Sequence, residues 1–203
     1  MNPDAILFVV TDLANTALLA PLVVVGSAFL LSCGRRREAV IMTLSLLAPG
    51  IAVALLKLTL MGCHPLLPAP SLRSPSGHAA LGASVYGTLA LIIRDCAGPV
   101  LRWAATALAA GLIGAIAASR VVLGFHSAGE VMVGLALGLG FLAMAAHLLP
   151  GPGAMRGGGH GLVLLAVAAA AGALCHGLDV PAEELIRRWA RALPNVVPFC
   201  AAS

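Results

Sequence analysis

The chain has 203 residues, of which 60% are hydrophobic and only 10% are charged, and its formal net charge is +4. With a mean hydropathy of +1.01, it cannot surround a soluble globule with polar side chains, so the composition excludes a soluble class and indicates a polytopic membrane protein. At roughly 20 residues per membrane-spanning helix, the length allows about six spans within a single domain over residues 1–203. Membrane lipids are therefore the expected surroundings, and no nucleic-acid partner is expected.

Six apolar runs follow one another along the chain and predict an all-α, polytopic bundle of about six transmembrane helices. The runs lie near 13–33, 39–61, 78–93, 100–118, 127–149 and 161–178. The basic cluster Arg35-Arg36-Arg37 separates the first two runs, and the positive-inside rule places it in the cytoplasm. The alternation of spans then puts residues 62–77 and 119–126 together on the extracytoplasmic face.

The last segment, 179–203, is predicted to be an amphipathic tail. Its acidic residues come before its basic ones, which suits the dipole of a helix. An apolar stripe at helical spacing consists of Leu185, Ile186, Trp189 and Leu193. We therefore expect an interfacial helix that anchors to the lipid surface. A six-span topology leaves the arginines of this tail outside, against the charge rule, so five spans with a re-entrant segment at 161–178 are the alternative.

The string Pro75-Ser76-Gly77-His78 begins the third apolar run. Ser74 is a suitable N-cap and Pro75 a suitable first helical residue, so the free backbone N–H groups of this helix start can bind an anion. His78, about one turn into the helix, can protonate a departing oxygen. A capping turn with an incidental histidine is the alternative interpretation.

A second polar string runs from Ser119 to Glu130 and follows the fourth apolar run. Arg120 offers a fixed fork of donors that suits a phosphate, and Gly124 permits a tight loop that leads to His126. Glu130, four residues further on, can lie under the imidazole and fix its tautomer. Alternatively, Ser127 and Glu130 form a capping box. The five cysteines show no metal-ligand spacing, so no metal site is expected.

Together, these two strings resemble the motifs of the type 2 phosphatidic acid phosphatase family (PAP2), which are K-x6-R-P, P-S-G-H and S-R-x5-H-x3-D. The second motif matches completely at Pro75 to His78. The third matches at Ser119, Arg120 and His126, with Glu130 in place of the usual aspartate.

The first motif of the family matches only in part. Lys57 has the correct spacing to Pro65, but His64 stands where the family has arginine. Arg73, directly before the second motif, is a candidate for the missing cation, because a histidine is shorter and mostly neutral at pH 7. The resemblance covers about residues 50–135.

The resemblance implies a phosphatase that needs neither a metal nor another cofactor and that works through a phosphohistidine intermediate. It implies that His126 is the nucleophile, that Glu130 orients and activates it, and that His78 is the acid for the leaving group. The implied phosphate-binding residues are Lys57, Ser76, Gly77 and Arg120, with Arg73 or His64 in place of the missing arginine.

The membrane setting favours a lipid phosphate or pyrophosphate as substrate, with its phosphate at the interface and its tail between helices. Candidates are a polyprenyl pyrophosphate, phosphatidic acid, phosphatidylglycerol phosphate and a lipid A phosphate. The expected location is a bacterial inner membrane, with the site facing the periplasm. The alternatives are a phosphatase of soluble phosphate esters, a vanadium-dependent haloperoxidase, and a non-enzymatic protein that binds haem or a metal through His78 and His126. The sequence does not indicate an oligomeric state.

Overall fold

The fold is all-helical throughout the part of the chain that the computed structural model describes, namely residues 3–62, 74–96, 98–149, 159–175, 177–178 and 182–196. The helices are α1 (Pro3–Asp12), α2 (Thr16–Ser32), α3 (Arg36–Gly62), α4 (Gly77–Cys96), α5 (Pro99–Val122), α6 (Ala128–Leu148), α7 (Gly159–Cys175) and α8 (Ala182–Val196). The predicted all-α bundle is confirmed. Helices α2 to α7 correspond to the six apolar runs, and α8 corresponds to the amphipathic tail.

Short turns reverse the chain between successive helices. Gly34, which has a positive φ of 75°, ends α2 before α3 begins two residues later. Gly98 caps the start of α5, and Pro99 is its first residue, where proline is favoured. These two turns lie at the end of the bundle that also carries the basic cluster 35–37. The two polar strings lie at the opposite end.

Three of the described helices are long and apolar enough to cross a membrane: Arg36–Met61, Pro99–Val122 and Ala128–Leu148. A fourth span results if Ala5–Asp12 and Thr16–Ser32, which are bent by 41° relative to each other, count as one. The apolar part of α7, Gly161–Cys175, is shorter than the three spans. The expected number of six spans is therefore approximate, although six consecutive helices do form the bundle.

Helix α4 lies at the centre of the bundle, where it packs against α3, α5, α6 and α7. Every residue from 79 to 90 is buried. Protein therefore surrounds this helix, whereas outer helices expose large apolar side chains such as Trp103 and Leu108. This difference explains why α4 can carry several small and polar residues without being in contact with lipid.

Two glycines on α6 bring this helix into close contact with α4. A Cβ added at Gly134 would collide with the backbone carbonyl oxygen of Ser76, and one added at Gly138 would collide with that of Ala80. Small residues spaced four apart on one helix face allow two helix backbones to approach this closely. Because α4 begins with the first polar string and α6 follows the second, this contact fixes the two strings relative to each other.

Candidate active site

The start of α4 differs by a few residues from the sequence prediction. The helix begins at Gly77, and the Ser76 side chain caps it by accepting a hydrogen bond from Ala79 N at 3.4 Å. Ser74 is therefore not the N-cap, and Pro75 is not the first helical residue. The reason lies in α6, because Ser74 N donates to Glu130 Oε1 at 2.8 Å and Ser76 N donates to the Glu130 carbonyl oxygen at 3.0 Å. These two bonds hold the segment before α4 outside the helix.

The loop from α5 to α6 places His126 beside Glu130. Gly124 has a positive φ of 70°, which glycine adopts without strain, and the N–H groups of Phe125 and His126 both donate to the Arg120 carbonyl oxygen, at 3.1 and 3.2 Å. Ser127 is the N-cap of α6, so His126 lies just before the helix. The predicted tight turn at Gly124 is confirmed.

Glu130 makes the contacts that both interpretations require. Ser127 Oγ accepts from Glu130 N at 3.3 Å and Glu130 Oε2 accepts from Ser127 N at 3.0 Å, which completes a capping box. The same Oε2 lies 3.3 Å from His126 Nδ1. A carboxylate beside Nδ1 favours the neutral tautomer that carries its proton on Nδ1, with Nε2 as the acceptor.

Arg120 comes from the last turn of α5 and is held on two sides. Its Nη1 donates to Thr11 Oγ1 of α1 at 3.1 Å, and its guanidinium lies 4.3 Å from the centroid of the Phe125 ring. Phe8 packs edge-on against Phe125, with the ring centroids 6.0 Å apart. The buried Nε of Arg120 has no hydrogen-bond partner among the described residues. A buried donor without a partner is costly, so this nitrogen is available to an anionic ligand.

Lys57 lies near the end of α3, and only 3% of its surface is exposed. Its ammonium group forms an ion pair with Glu183 Oε2 of α8. The other carboxylate oxygen of Glu183 lies 3.4 Å from Ser74 Oγ and 3.6 Å from Arg187 Nε. The amphipathic helix therefore reaches into the polar end of the bundle.

A single cavity of about 830 Å³ connects these groups. Its polar part contains Lys57, Gly77, His78, Arg120 and His126, and Glu183, Ile186 and Arg187 of α8 also line it. Its apolar part runs between α2 and α3 and is lined by Ala20, Leu46, Leu47, Ile51, Val53 and Ala54. The cavity thus combines a cationic head with a long apolar extension.

The electrostatics of the cavity favour a neutral His126. Burial, followed by the positive charges of Arg120 and Lys57, lowers the pKa of His126 below its usual value, against the opposing effect of Glu130. For Glu183, burial alone would raise the pKa, but the hydrogen bond and the charge of Lys57 outweigh it, so the pKa is lowered. These shifts favour a neutral His126 ring and an ionised Glu183 carboxylate.

A sequence profile described as the PAP2 superfamily matches residues 38–152. The matched part is more than half of the chain and contains Lys57 and both polar strings. The chain belongs to the PAP2 superfamily. PAP2 proteins are phosphatases of phosphate esters, often lipids, and they are often bound to membranes, which fits the apolar helices found here. No curated protein and no solved structure matches this chain.

The structure brings together most of the residues that the PAP2 motifs single out. The residues on the cavity are Lys57, Gly77, His78, Arg120 and His126. Ser76 and Glu130 support them from behind, Ser76 as a helix cap and Glu130 as the partner of His126. His64 and Arg73 lie outside the described residues. Within the described residues, no group of three or more His, Cys, Asp or Glu side chains could hold a metal ion.

Sequence reasoning missed the contribution of α8 to this PAP2 site. The tail was predicted to be a lipid anchor, and its acidic residues were interpreted only as favourable charges for the helix dipole. The sequence contains one signal for this contact, the acidic first turn of the tail helix. Acidic residues at the same membrane face as a basic phosphate site are attracted to that site electrostatically. The described residues of the predicted apolar stripe face in different directions. Leu185 and Trp189 are 56% and 64% exposed, whereas Ile186 faces the cavity.

Proposed function

We propose that this PAP2 protein hydrolyses a lipid phosphate or lipid pyrophosphate through a phosphohistidine formed on His126. The observation that carries the proposal is the single cavity in which two histidines and two cations adjoin an apolar extension between α2 and α3. Phosphoryl transfer mainly requires positioning of the reacting groups and stabilisation of charge on the phosphate oxygens. A cationic head next to an apolar channel meets this requirement for a phosphate that is attached to a lipid tail.

In the first step, His126 Nε2 attacks phosphorus while the bond from phosphorus to the lipid oxygen breaks. His78 donates a proton to that oxygen, and a phosphate dianion bound between the two histidines favours the protonated form of His78. Glu130 accepts the Nδ1–H hydrogen bond throughout and stabilises the positive charge that develops on the ring. Lys57, Arg120 and the backbone N–H groups at the start of α4 bind the phosphate oxygens.

In the second step, a water molecule replaces the imidazole on phosphorus. His78, now neutral, takes a proton from this water, the bond from phosphorus to Nε2 breaks, and inorganic phosphate leaves. In the second step, His78 thus recovers the one proton that it donated in the first step. The scheme uses only side chains and water, and so it requires no metal ion.

We also propose that the site faces away from the cytoplasm, which means the periplasm if the membrane is a bacterial inner membrane. The support is the distribution of charge, because the cluster Arg35-Arg36-Arg37 lies at the end of the bundle opposite the cavity. Short loops rich in arginine tend to remain in the cytoplasm. Arg94 and Arg102, beside the turn from α4 to α5, lie at this same end.

Phosphate release by the purified chain tests the function. The panel contains phosphatidic acid, phosphatidylglycerol phosphate, a polyprenyl pyrophosphate and a lipid A phosphate in mixed micelles, with glucose 6-phosphate as the soluble comparison. We expect release from at least one lipid, continued activity in excess EDTA and inhibition by vanadate, which mimics five-coordinate phosphorus. Release from the soluble ester alone would contradict the lipid proposal, and loss of activity in EDTA that a divalent ion restores would contradict the mechanism.

The role of each histidine is tested by substitution. His126→Ala is expected to abolish turnover, because the proposal gives no other group the role of nucleophile. His78→Ala is expected to slow turnover by about 10²–10⁴-fold, the usual contribution of a general acid, and by less for a leaving group that needs no proton. Equal losses for good and poor leaving groups in His78→Ala would contradict its role as the acid.

A further inference from the structure

The strongest unexplained contact in the cavity is the ion pair between Lys57 and Glu183. Lys57 is almost fully buried, and within the described residues Glu183 is the one carboxylate that pairs with it. Removing Lys57 from water without a counter-charge would be costly. Glu183 therefore provides the counter-charge for Lys57, as a bound phosphate could.

The surroundings of Glu183 are those expected of a phosphate oxygen. One carboxylate oxygen contacts the Lys57 ammonium group, and the other lies within 3.4 Å of Ser74 Oγ, just before the start of α4. The carboxylate also lines the same cavity as His78 and His126. A carboxylate and a phosphate both present oxygens that suit a lysine, so the two anions compete for one cation.

The helix that carries Glu183 is distinct from the motif-bearing part of the chain. Helix α8 lies outside the residues that match the PAP2 profile. It packs on α3, with Ala190 almost fully buried. Its Leu185 and Trp189 are exposed.

We propose that Glu183 is a built-in competitor of the substrate: it pairs with Lys57 and must leave this lysine when a phosphate binds. This inference rests on the proposed function for its physiological meaning, but the competition itself concerns only phosphate binding. Arg187 offers Glu183 an alternative partner, because its Nε already lies 3.6 Å from Glu183 Oε1 on the next turn of α8. When the Glu183 carboxylate leaves Lys57, it can therefore pair with Arg187 instead, and so it keeps a cationic partner.

Glu183→Gln tests the competition, since the amide keeps the shape of the side chain and removes its charge. The matched control is Glu184→Gln, which removes the same charge from the adjacent position. The Glu184 carboxylate also borders the cavity, but within the described residues it pairs with Arg188 and Arg191, at 3.1 and 3.5 Å, and forms no ion pair with Lys57. A general effect of net charge would appear in both variants, whereas competition for Lys57 would appear only in Glu183→Gln.

The first measurement is the binding of inorganic phosphate to the purified full-length chain by titration calorimetry. We expect Glu183→Gln to bind phosphate roughly three- to tenfold more tightly than the unmodified chain, because a partly exposed ion pair no longer has to be broken. Glu184→Gln is expected to match the unmodified chain. Equal phosphate affinity in all three proteins, or an equal gain in both variants, would overturn the competition.

The second measurement is hydrolysis of whichever lipid phosphate the unmodified chain accepts. Glu183→Gln is expected to lower KM by a similar factor and to leave kcat nearly unchanged, because only occupation of the phosphate site is affected. A lower kcat with unchanged KM would overturn the proposal and make Glu183 part of the chemistry. If no protein hydrolyses any lipid but phosphate binding still tightens in Glu183→Gln, the competition stands and the lipid phosphatase function fails.

Discussion

The Glu130 carboxylate connects three parts of the site. It accepts hydrogen bonds from the N–H groups of Ser74 and Ser127, and it also contacts His126 Nδ1. Two of these contacts hold the backbone around the two polar strings, and the third reaches the ring of the proposed nucleophile. Under the proposed function, Glu130 therefore has a structural and a chemical role, so a substitution at Glu130 has to be chosen to separate them.

We compare Glu130→Gln, which removes the charge, with Glu130→Asp, which keeps the charge and shortens the side chain. The amide loses the charge that supports a positive imidazole, so we expect kcat to fall by about 10²–10⁴-fold, as when an orienting carboxylate is replaced elsewhere. Aspartate keeps the charge and is the usual residue of the PAP2 motif, so this variant is expected to retain most of its activity. The measurement is steady-state hydrolysis, with the thermal midpoint Tm as a check on folding. A large loss in Glu130→Asp with little loss in Glu130→Gln would indicate that side-chain length, and not charge, is what matters.

The pKa of His126 predicts the pH dependence of the reaction. Burial and the charges of Arg120 and Lys57 lower this pKa below the usual 6.5, and the nucleophile must be unprotonated. Activity is therefore expected to persist below pH 6.5 and to be lost only as the pH falls through the lowered pKa. In Glu130→Gln, the carboxylate that raises the pKa is gone, so the acid limb of kcat/KM should move to still lower pH. The profile of kcat/KM against pH measures both effects, and an acid limb above 6.5 would contradict them.

At the scale of helices, the parallel contact of α4 with α6 determines how far apart the two histidines lie. The sequence predicted the tight turn at Gly124, but it did not identify α4 as the helix that packs on Gly134 and Gly138. It did not predict the start of α4 correctly, because the hydrogen bonds from Ser74 and Ser76 go to Glu130, which is distant in sequence. A capping rule considers only neighbours along the chain, so it cannot detect a tertiary partner.

Gly138→Ala tests the contact between these helices. The new methyl group would meet the carbonyl oxygen of Ala80, and backbone cannot yield as a side chain can. We expect a loss of stability of about 1–3 kcal/mol, which is typical of overpacking, together with a lower kcat. Gly140→Ala is the control on the same helix, since a Cβ there meets nothing within 4 Å. The measurements are Tm and kcat for both variants. A Gly138→Ala variant that is less stable but has an unchanged kcat would show that this helix contact does not affect catalysis.

At the scale of the whole molecule, composition was sufficient to predict an all-α membrane bundle, and the motifs singled out residues that the structure brings to one cavity. They were not sufficient to predict the approach of α8 to α3, because Glu183 is 126 residues from Lys57 and lies outside every motif. The number of spans was also approximate. A count from apolar runs treats a central helix such as α4 as if lipid surrounded it, although its neighbours are mostly other helices.

The proposed orientation of the bundle can be tested with single cysteines. Cys33 lies at the basic end, whereas Leu178 lies beyond the end of α7 near Asn15, to which its carbonyl oxygen is bonded at 3.1 Å. In chains with one cysteine, at position 33 or in Leu178→Cys, a membrane-impermeant maleimide applied to intact cells should label only position 178. Position 33 should become labelled after the membrane is opened. Labelling in the reverse order would invert the proposed topology.

The shape of the cavity has a consequence for the fate of the products. Its cationic head lies at the helix ends, and its apolar extension follows α2 and α3 along the bundle. Under the proposed reaction, inorganic phosphate is soluble in water, whereas the dephosphorylated lipid remains soluble in the bilayer. The two products therefore separate into different phases as soon as they leave the protein. Their re-encounter at His126 becomes rare, so this separation makes the hydrolysis effectively one-way without any input of energy.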